Sequence, residues 1–301
     1  MRLCVITDEI SQDLGHALDV MAEYGCREAE LRNVYDKYIV DASEEDLQKV
    51  QAELGRRGFR VSCIDTPFFK CDLPGTTTGN EAATGPTHGA RERDLDAQMH
   101  LLHRAIDLCK RFDTPYLRIF SFWRRGPLTP DIEERIVALL VPAAEVAERA
   151  GITLLLENEH ACYLGTGKEA ARVIEKVGSP ALKMIWDPGN AFMAGEQPFP
   201  AGYAEAAPHT LHVHVKDARA SDDGKLSWTV VGEGEIDYAS QFAALVEAGF
   251  SGAVSLETHF QAPGSDKESA SRACLAGMKR LVEQAVAGAS VAGASVVQEN
   301  F

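Results

Sequence analysis

Short apolar stretches alternate with helical patterns along this 301-residue chain, and no other feature restricts the fold as much. Strand-like stretches are read at residues 2–7, 28–31, 59–64, 116–120, 152–157, 182–187, 210–215 and 253–258. Between the first two, Leu14, Leu18 and Met21 share one face of a helix over about 13–24, which Gly25 stops. Ser43-Glu44-Glu45-Asp46 has the form of a capping box and opens a helix carrying Leu47, Val50 and Leu54. Leu95, Met99, Leu102, Ile106 and Cys109 line a third. Further helices are read at 131–150, 168–177, 239–248 and 267–286, with a short piece near 201–207. Eight strands alternating with about eight helices predict an α/β protein, a single (β/α)8 TIM barrel over residues 1–286. A doubly wound open sheet is the alternative. It would more often carry a glycine-rich phosphate turn after an early strand, and no GxGxxG or Walker-type loop is present.

Two regions break the rhythm. Residues 65–90 contain Pro67, Pro74, Gly75, Gly79, Gly85, Pro86 and Gly89 with little apolar content, and read as a long loop: either a lid over the third strand or an insertion without a role. Residues 287–301 repeat Ala-Gly-Ala-Ser-Val and are expected to fray as a low-complexity tail. A hairpin is expected through Asp223-Gly224.

Four strand-like stretches end in a way that packing does not require. Leu154-Leu155-Leu156 runs into Glu157, Met184-Ile185-Trp186 into Asp187, Leu211-His212-Val213 into His214, and Val254-Ser255-Leu256 into Glu257. Charge is costly to bury unless paired or bound to a metal. In a barrel these ends are neighbours at the C-terminal face, where active sites lie. Two Glu, one Asp and one His suit one divalent ion, whether Mn²⁺, Mg²⁺, Co²⁺ or Zn²⁺, and the absence of Cys argues against a structural zinc site. Glu157 closes its strand whereas Glu159 lies in the loop beyond, so Glu157 is preferred. His212 and His214 share a face, with His214 nearer the C-terminal end and therefore the expected ligand. Lys216 continues that face, and Asn158, His160, Asn190 and Arg118 are candidate substrate donors; for each of the five an ion pair or cap is the competing role.

Composition narrows the partners. With 30 Lys+Arg against 45 Asp+Glu the formal charge is -15, the wrong sign for a nucleic-acid partner. The seven cysteines are odd in number and form no CxxC pair, which reads as reduced thiols in a cytoplasmic protein. No apolar run approaches membrane-spanning length, so no membrane partner is expected. Whether the chain forms a homo-oligomer is left open.

The motifs Leu155-Leu156-Glu157-Asn158, Trp186-Asp187-Pro188-Gly189-Asn190, His212-Val213-His214-Val215-Lys216-Asp217, Val231 to Asp237 and Ser255-Leu256-Glu257-Thr258-His259 resemble the xylose isomerase-like sugar isomerase/epimerase family. The resemblance runs from Thr7-Asp8-Glu9-Ile10 and Glu30-Leu31-Arg32 to the eighth strand. It implies Glu157, Asp187, His214 and Glu257 as metal ligands, with Glu157 and Glu257 also the acid/base pair of the family's 3-epimerases. One departure stands out: several of those epimerases carry a substrate-contacting His three residues after the metal Asp, where this chain has Asn190. An amide hydrogen-bonds a hydroxyl but does not trade protons at neutral pH.

The ligand set suggests isomerisation or epimerisation of a small sugar, ketose or keto-acid. A divalent ion polarises the carbonyl, one Glu removes the adjacent proton to give a metal-bound enediolate, and the other returns it. If a β-hydroxyl leaves instead, the same site is a dehydratase or lyase of a keto-sugar or cyclitol. Two further readings rank lower. An apurinic endonuclease would want more ligands and a basic rim, and a non-catalytic sugar binder would not need all four ligands. No phosphate cradle follows the seventh or eighth strand, so a phosphorylated substrate is not expected.

Overall fold

The computed structural model describes residues 1–76 and 95–298. Eight parallel strands form one sheet that curls into a barrel: β1 (Arg2–Val5), β2 (Glu28–Leu31), β3 (Arg60–Asp65), β4 (Tyr116–Ile119), β5 (Thr153–Glu157), β6 (Leu182–Trp186), β7 (Thr210–Val215) and β8 (Ala253–Leu256). From β2 to β8 each is hydrogen-bonded to the next in sequence, and β8 returns to pair with β1 over Arg2–Val5. The seam between β1 and β2 is the weakest. It is held by a single parallel bridge between Ile6 and Glu30, with the Thr7 hydroxyl donating to the Glu30 carbonyl at 3.3 Å. The expected TIM barrel is thus present as a single, nearly closed ring.

Helices α1 (Leu14–Glu23), α2 (Glu44–Arg57), α3 (Leu95–Arg111), α4 (Pro130–Ala150) and α5 (Gly167–Val177) follow the first five strands. The Ser43–Asp46 capping box forms as read, and Thr166 and Glu169 make a second one on α5. After β6 come the short helices α6 (Pro188–Met193) and α7 (Tyr203–Ala206). Helix α8 (Tyr238–Glu247) precedes β8, and α9 (Lys267–Gln298) follows it. Helix α9 carries on through residues 287–298, read above as a fraying tail. Once a helix is nucleated, each added residue gains a hydrogen bond, and alanine is the best residue for that propagation, so a repeat without periodicity still extends it. Of the expected long loop, residues 66–76 follow β3, while 77–94 lie outside the described residues.

Strand side chains that point outward pack against the helices in one continuous core. Inside the barrel, Cys63, Leu155 and Ile185 form a small apolar layer. Above it the interior becomes polar, because the inward positions of the strands are occupied by Glu30, Asp65, Arg118, Glu157, His212 and His214, all buried. After β7 the chain makes an antiparallel hairpin, Asp217–Ala220 with Leu226–Thr229, turning at Gly224 in the left-handed region. All seven cysteines are buried and unbridged. Among the described residues no helix is long and apolar enough to cross a membrane.

Candidate metal centre

Glu157 is the last residue of β5, Asp187 follows β6, His214 lies in β7 and Glu257 follows β8. Each offers a ligand atom within 4.8 Å of the others', and all four are buried. The four residues singled out from their strand ends therefore meet at one point.

Local structure aims each of them. Asp187 caps α6, accepting the Asn190 N–H on Oδ1 at 2.8 Å, which turns Oδ2 toward the cluster. His214 is held from behind: its Nε2 lies 2.9 Å from Glu30 Oε1, while Nδ1 faces Glu157 at 3.3 Å, Glu257 at 3.7 Å and Asp187 at 3.9 Å. Glu30 also holds His212 Nε2 at 3.0 Å. A ligating imidazole whose second nitrogen is anchored on a carboxylate is the usual support of a metal-bound histidine. His212 is thus placed below the ligand layer, as its depth in the strand implied.

Crowding three carboxylates in a buried site has an electrostatic signature. Burial pushes Asp187 up to about 6, with Lys216 opposing and Glu157 and Glu257 reinforcing the shift. Burial also acts to raise Glu257, but the Lys216 ammonium, with His259 and His214, holds it well below the usual carboxylate range. Glu157 is held lower too, since His214 and Arg118 outweigh burial and the repulsion of Glu257. His214 Nδ1 and Glu157 Oε2 are buried without a well-formed hydrogen bond. Buried polar atoms are rarely left so. Two carboxylates with orphaned or crowded oxygens, a third beside them and a bare imidazole nitrogen fit a divalent cation with N and O ligands.

The supporting residues divide. Lys216 Nζ lies among the ligands, 2.7 Å from Asp187 and in contact with Glu257. Arg118, expected as a substrate donor, is instead enclosed, pairing with Asp65 at 3.2 Å and Glu157 at 3.3 Å. Asn158 is likewise committed to the fold: its amide donates to the Asp187 and Gly165 carbonyls, and its Oδ1 accepts the Asp187 N–H at 2.9 Å. That lock sets the position of Asp187 and leaves no amide hydrogen-bonding group for a ligand. Asn190 donates to Glu157 Oε1 at 3.2 Å, and its Oδ1 meets His160 Nδ1 at 2.8 Å. The β5 loop thus brings an imidazole, His160, against the Asn190 amide. His160 is 26% exposed at its side chain and stands at the mouth.

Several residues of the site lie outside the four strand ends singled out from the sequence. Arg32 reaches Glu257 Oε1 at 3.0 Å while gripping Asp8, so Glu257 is clamped from both sides. Lys70 pairs with Glu159 at 3.1 Å and lies over the Phe120 ring at 4.2 Å. Trp228, from the hairpin after β7, sits edge-on to His259 at 4.8 Å and to His160 at 6.2 Å. Asp217 accepts from Gly232 and Gly234 N–H, and a Cβ on Gly234 would lie 2.1 Å from its carboxylate. The glycine-rich motif is therefore a loop anchor.

Fold and site together define a barrel with a buried, carboxylate-rich cluster that could hold a cation at the C-terminal face of its strands. The family model for the xylose isomerase-like TIM barrel matches residues 18–281, and the chain belongs to that family. An uncharacterized protein of Methanocaldococcus jannaschii, MJ1311, is 30% identical over 134 residues. That match covers 42% of this chain and 44% of the relative, so it spans less than half of either. Three solved structures share the fold. The IOLI protein with a bound zinc atom aligns at a TM-score of 0.73 and 18% identity, over 94% of this chain and 99% of that one. An L-ribulose 3-epimerase aligns at 0.72 and 18%, over 97% of both chains. A probable 3-DHS dehydratase, AsbF of Bacillus anthracis, aligns at 0.71 and 15%, over 93% and 98%.

Proposed function

We propose that this protein is a divalent-metal-dependent isomerase or epimerase of a small sugar, ketose or keto-acid. The observation that carries the reading is the convergence of Glu157, Asp187, His214 and Glu257 within 4.8 Å, with the His214 ring held on Glu30 and its Nδ1 bare. An ion bound there supplies Lewis acidity, polarising a substrate carbonyl and acidifying the neighbouring C–H. Solved structures of the same fold include an L-ribulose 3-epimerase and the IOLI protein with a bound zinc atom, which supports both the reaction class and the ion.

The chain's own residues then do the proton work. Glu157 and Glu257 come from strands on different sides of the cluster and approach a substrate from opposite faces; one takes the proton and the other returns it to the same or the adjacent carbon. Each is kept ionised by its own cation, Arg118 beside Glu157 and Arg32 beside Glu257. Asn190 positions Glu157 and His160, and Trp228 walls the mouth. The test is solvent deuterium exchange followed by NMR on a sugar panel with Mn²⁺ present. Label appearing beside the carbonyl is the expected result, and no label in any sugar at saturating ion overturns the reading.

A dehydratase is the second reading, favoured by His160. Burial lowers its proton affinity, but Glu159 more than reverses this, so the imidazole is a stronger base than usual and stands at the mouth ready to protonate a leaving hydroxyl. AsbF of the same fold is described as a probable dehydratase. Formation of an ultraviolet-absorbing enone would separate the two.

A further inference from the structure

The Lys216 ammonium touches three of the four ligands: Asp187 Oδ2 at 2.7 Å, Glu257 Oε2 in direct contact, and Glu157 Oε1 at 3.9 Å. These oxygens bound the space in which a divalent ion must sit. An ammonium and a dication cannot share it, because repulsion at contact distance inside a protein is far stronger than in water. We propose that Lys216 is an internal counter-ion, which holds the ligand carboxylates together in the metal-free chain and is expelled toward the mouth when a divalent ion loads. The inference rests on the metal reading above.

The surroundings let the side chain move while its backbone stays fixed. Lys216 N–H donates to Tyr238 Oη at 3.2 Å, and the same hydroxyl donates back to the Lys216 carbonyl at 2.8 Å. The stem passes Gly189 where any side chain would collide: a Cβ there would lie 2.5 Å from Lys216 Cγ. The way out is marked by Trp228, whose ring centre is 5.8 Å from the ammonium. An aromatic face receives a displaced cation favourably. Glu159 also attracts the ammonium electrostatically. Ion loading would therefore deliver a positive charge to the mouth at the moment the site becomes competent.

Without the lysine, the carboxylates repel one another in the absence of ion, and an incoming ion displaces nothing. The full-length wild type and Lys216→Met, stripped with chelator, are titrated with Mn²⁺ by calorimetry and melted with and without the ion. Lys216→Met is expected to melt at a lower temperature without ion and to bind Mn²⁺ more tightly, by about tenfold or more. Equal or weaker binding overturns the proposal. Failure of the wild type to bind any divalent ion overturns the metal reading beneath it instead. If Lys216→Met does not fold without ion, the wild type decides alone by amine labelling and mass spectrometry. Labelling of Lys216, buried in the ion-free protein, should rise several-fold on loading with Mn²⁺; unchanged labelling overturns the proposal.

Discussion

The two halves of the barrel contribute different chemistry. Strands β5 to β8 supply the four proposed ligands, Glu157, Asp187, His214 and Glu257, together with Lys216. The half from β1 to β4 supplies what surrounds them: Asp8 and Arg32 behind Glu257, Glu30 behind His214, and Arg118 with Asp65 beside Glu157. Lys70, between β3 and β4, neutralises Glu159. The first of these halves holds the groups proposed to react, with Asn158 and Asn190 positioning them from within it, and the other supplies the remaining charges around them. Removing a ligand should therefore stop the reaction, whereas removing a supporter should show first in ion binding or stability.

The largest expected effect is on the ligand half. Glu157→Gln and Glu257→Gln each remove a group proposed to hold the ion and move a proton. Turnover should fall by at least roughly 10²–10⁴-fold, the typical worth of acid/base catalysis alone. The measurement is steady-state turnover at saturating Mn²⁺ for the folded variants. Turnover within a few-fold of wild type in either variant would break the division between the halves.

Glu159→Gln tests the other kind of residue. From the sequence alone the position looked peripheral, and Glu159 is indeed outside the ligand cluster, but it is buried against an equally buried Lys70. The ammonium, with His160, holds the Glu159 carboxyl well below its usual range despite burial. Loss of the carboxylate strands a buried charge, at a cost of about 3–5 kcal/mol. Denaturant unfolding should show that loss, and Lys70→Met combined with Glu159→Leu should recover most of it. A Glu159→Gln variant of wild-type stability would mean that the pair is not closed.

Glu30→Gln should act on the ion rather than on the chemistry. Residues that anchor a ligating histidine typically contribute about 10–100-fold to metal affinity. The variant is expected to need that much more Mn²⁺ and then to regain most of its turnover. Turnover that stays low at saturating ion would move Glu30 from support to catalysis.

The same division explains how much could be read from the chain. The eight-fold alternation gave the barrel, and the ligand half announced itself because each polar residue interrupts an apolar run at a strand end. Whether the four meet depended only on strand order. The supporting half has no such signature. Glu30 sits inside a short strand, 184 residues from the His214 it holds, and nothing local distinguishes it from a surface glutamate. Arg118 and Asn158 were recognised as polar residues near the site, but which way their hydrogen bonds run depends on the neighbouring strand. Asn190 departs from the His of several epimerases, and only the fold of the β5 loop sets His160 against it. Helix α9 was cut short for a related reason: a small-residue repeat carries no periodicity to read.

The smallest effect supplies the baseline for both halves. Glu133 on α4 binds Arg172 Nε at 2.7 Å and Lys176 Nζ at 2.6 Å on α5, outside the barrel mouth. Its hydrogen bond with Arg172, supported by Lys176, lowers its pKa despite some burial. Both cations are more than 40% exposed, so screening limits the pair, and Glu133→Gln should cost about 1 kcal/mol at neutral pH. A carboxylate whose folded pKa is depressed stabilises fully above its unfolded pKa, and that contribution is lost as pH falls through the folded one. The gap between wild type and Glu133→Gln should therefore be constant near neutrality and close in acid below the ordinary carboxylate range. Ion affinity and turnover should not change. A Glu133→Gln variant that altered either would show that the helical shell reaches the proposed metal centre, and that support is not confined to the residues at the barrel mouth.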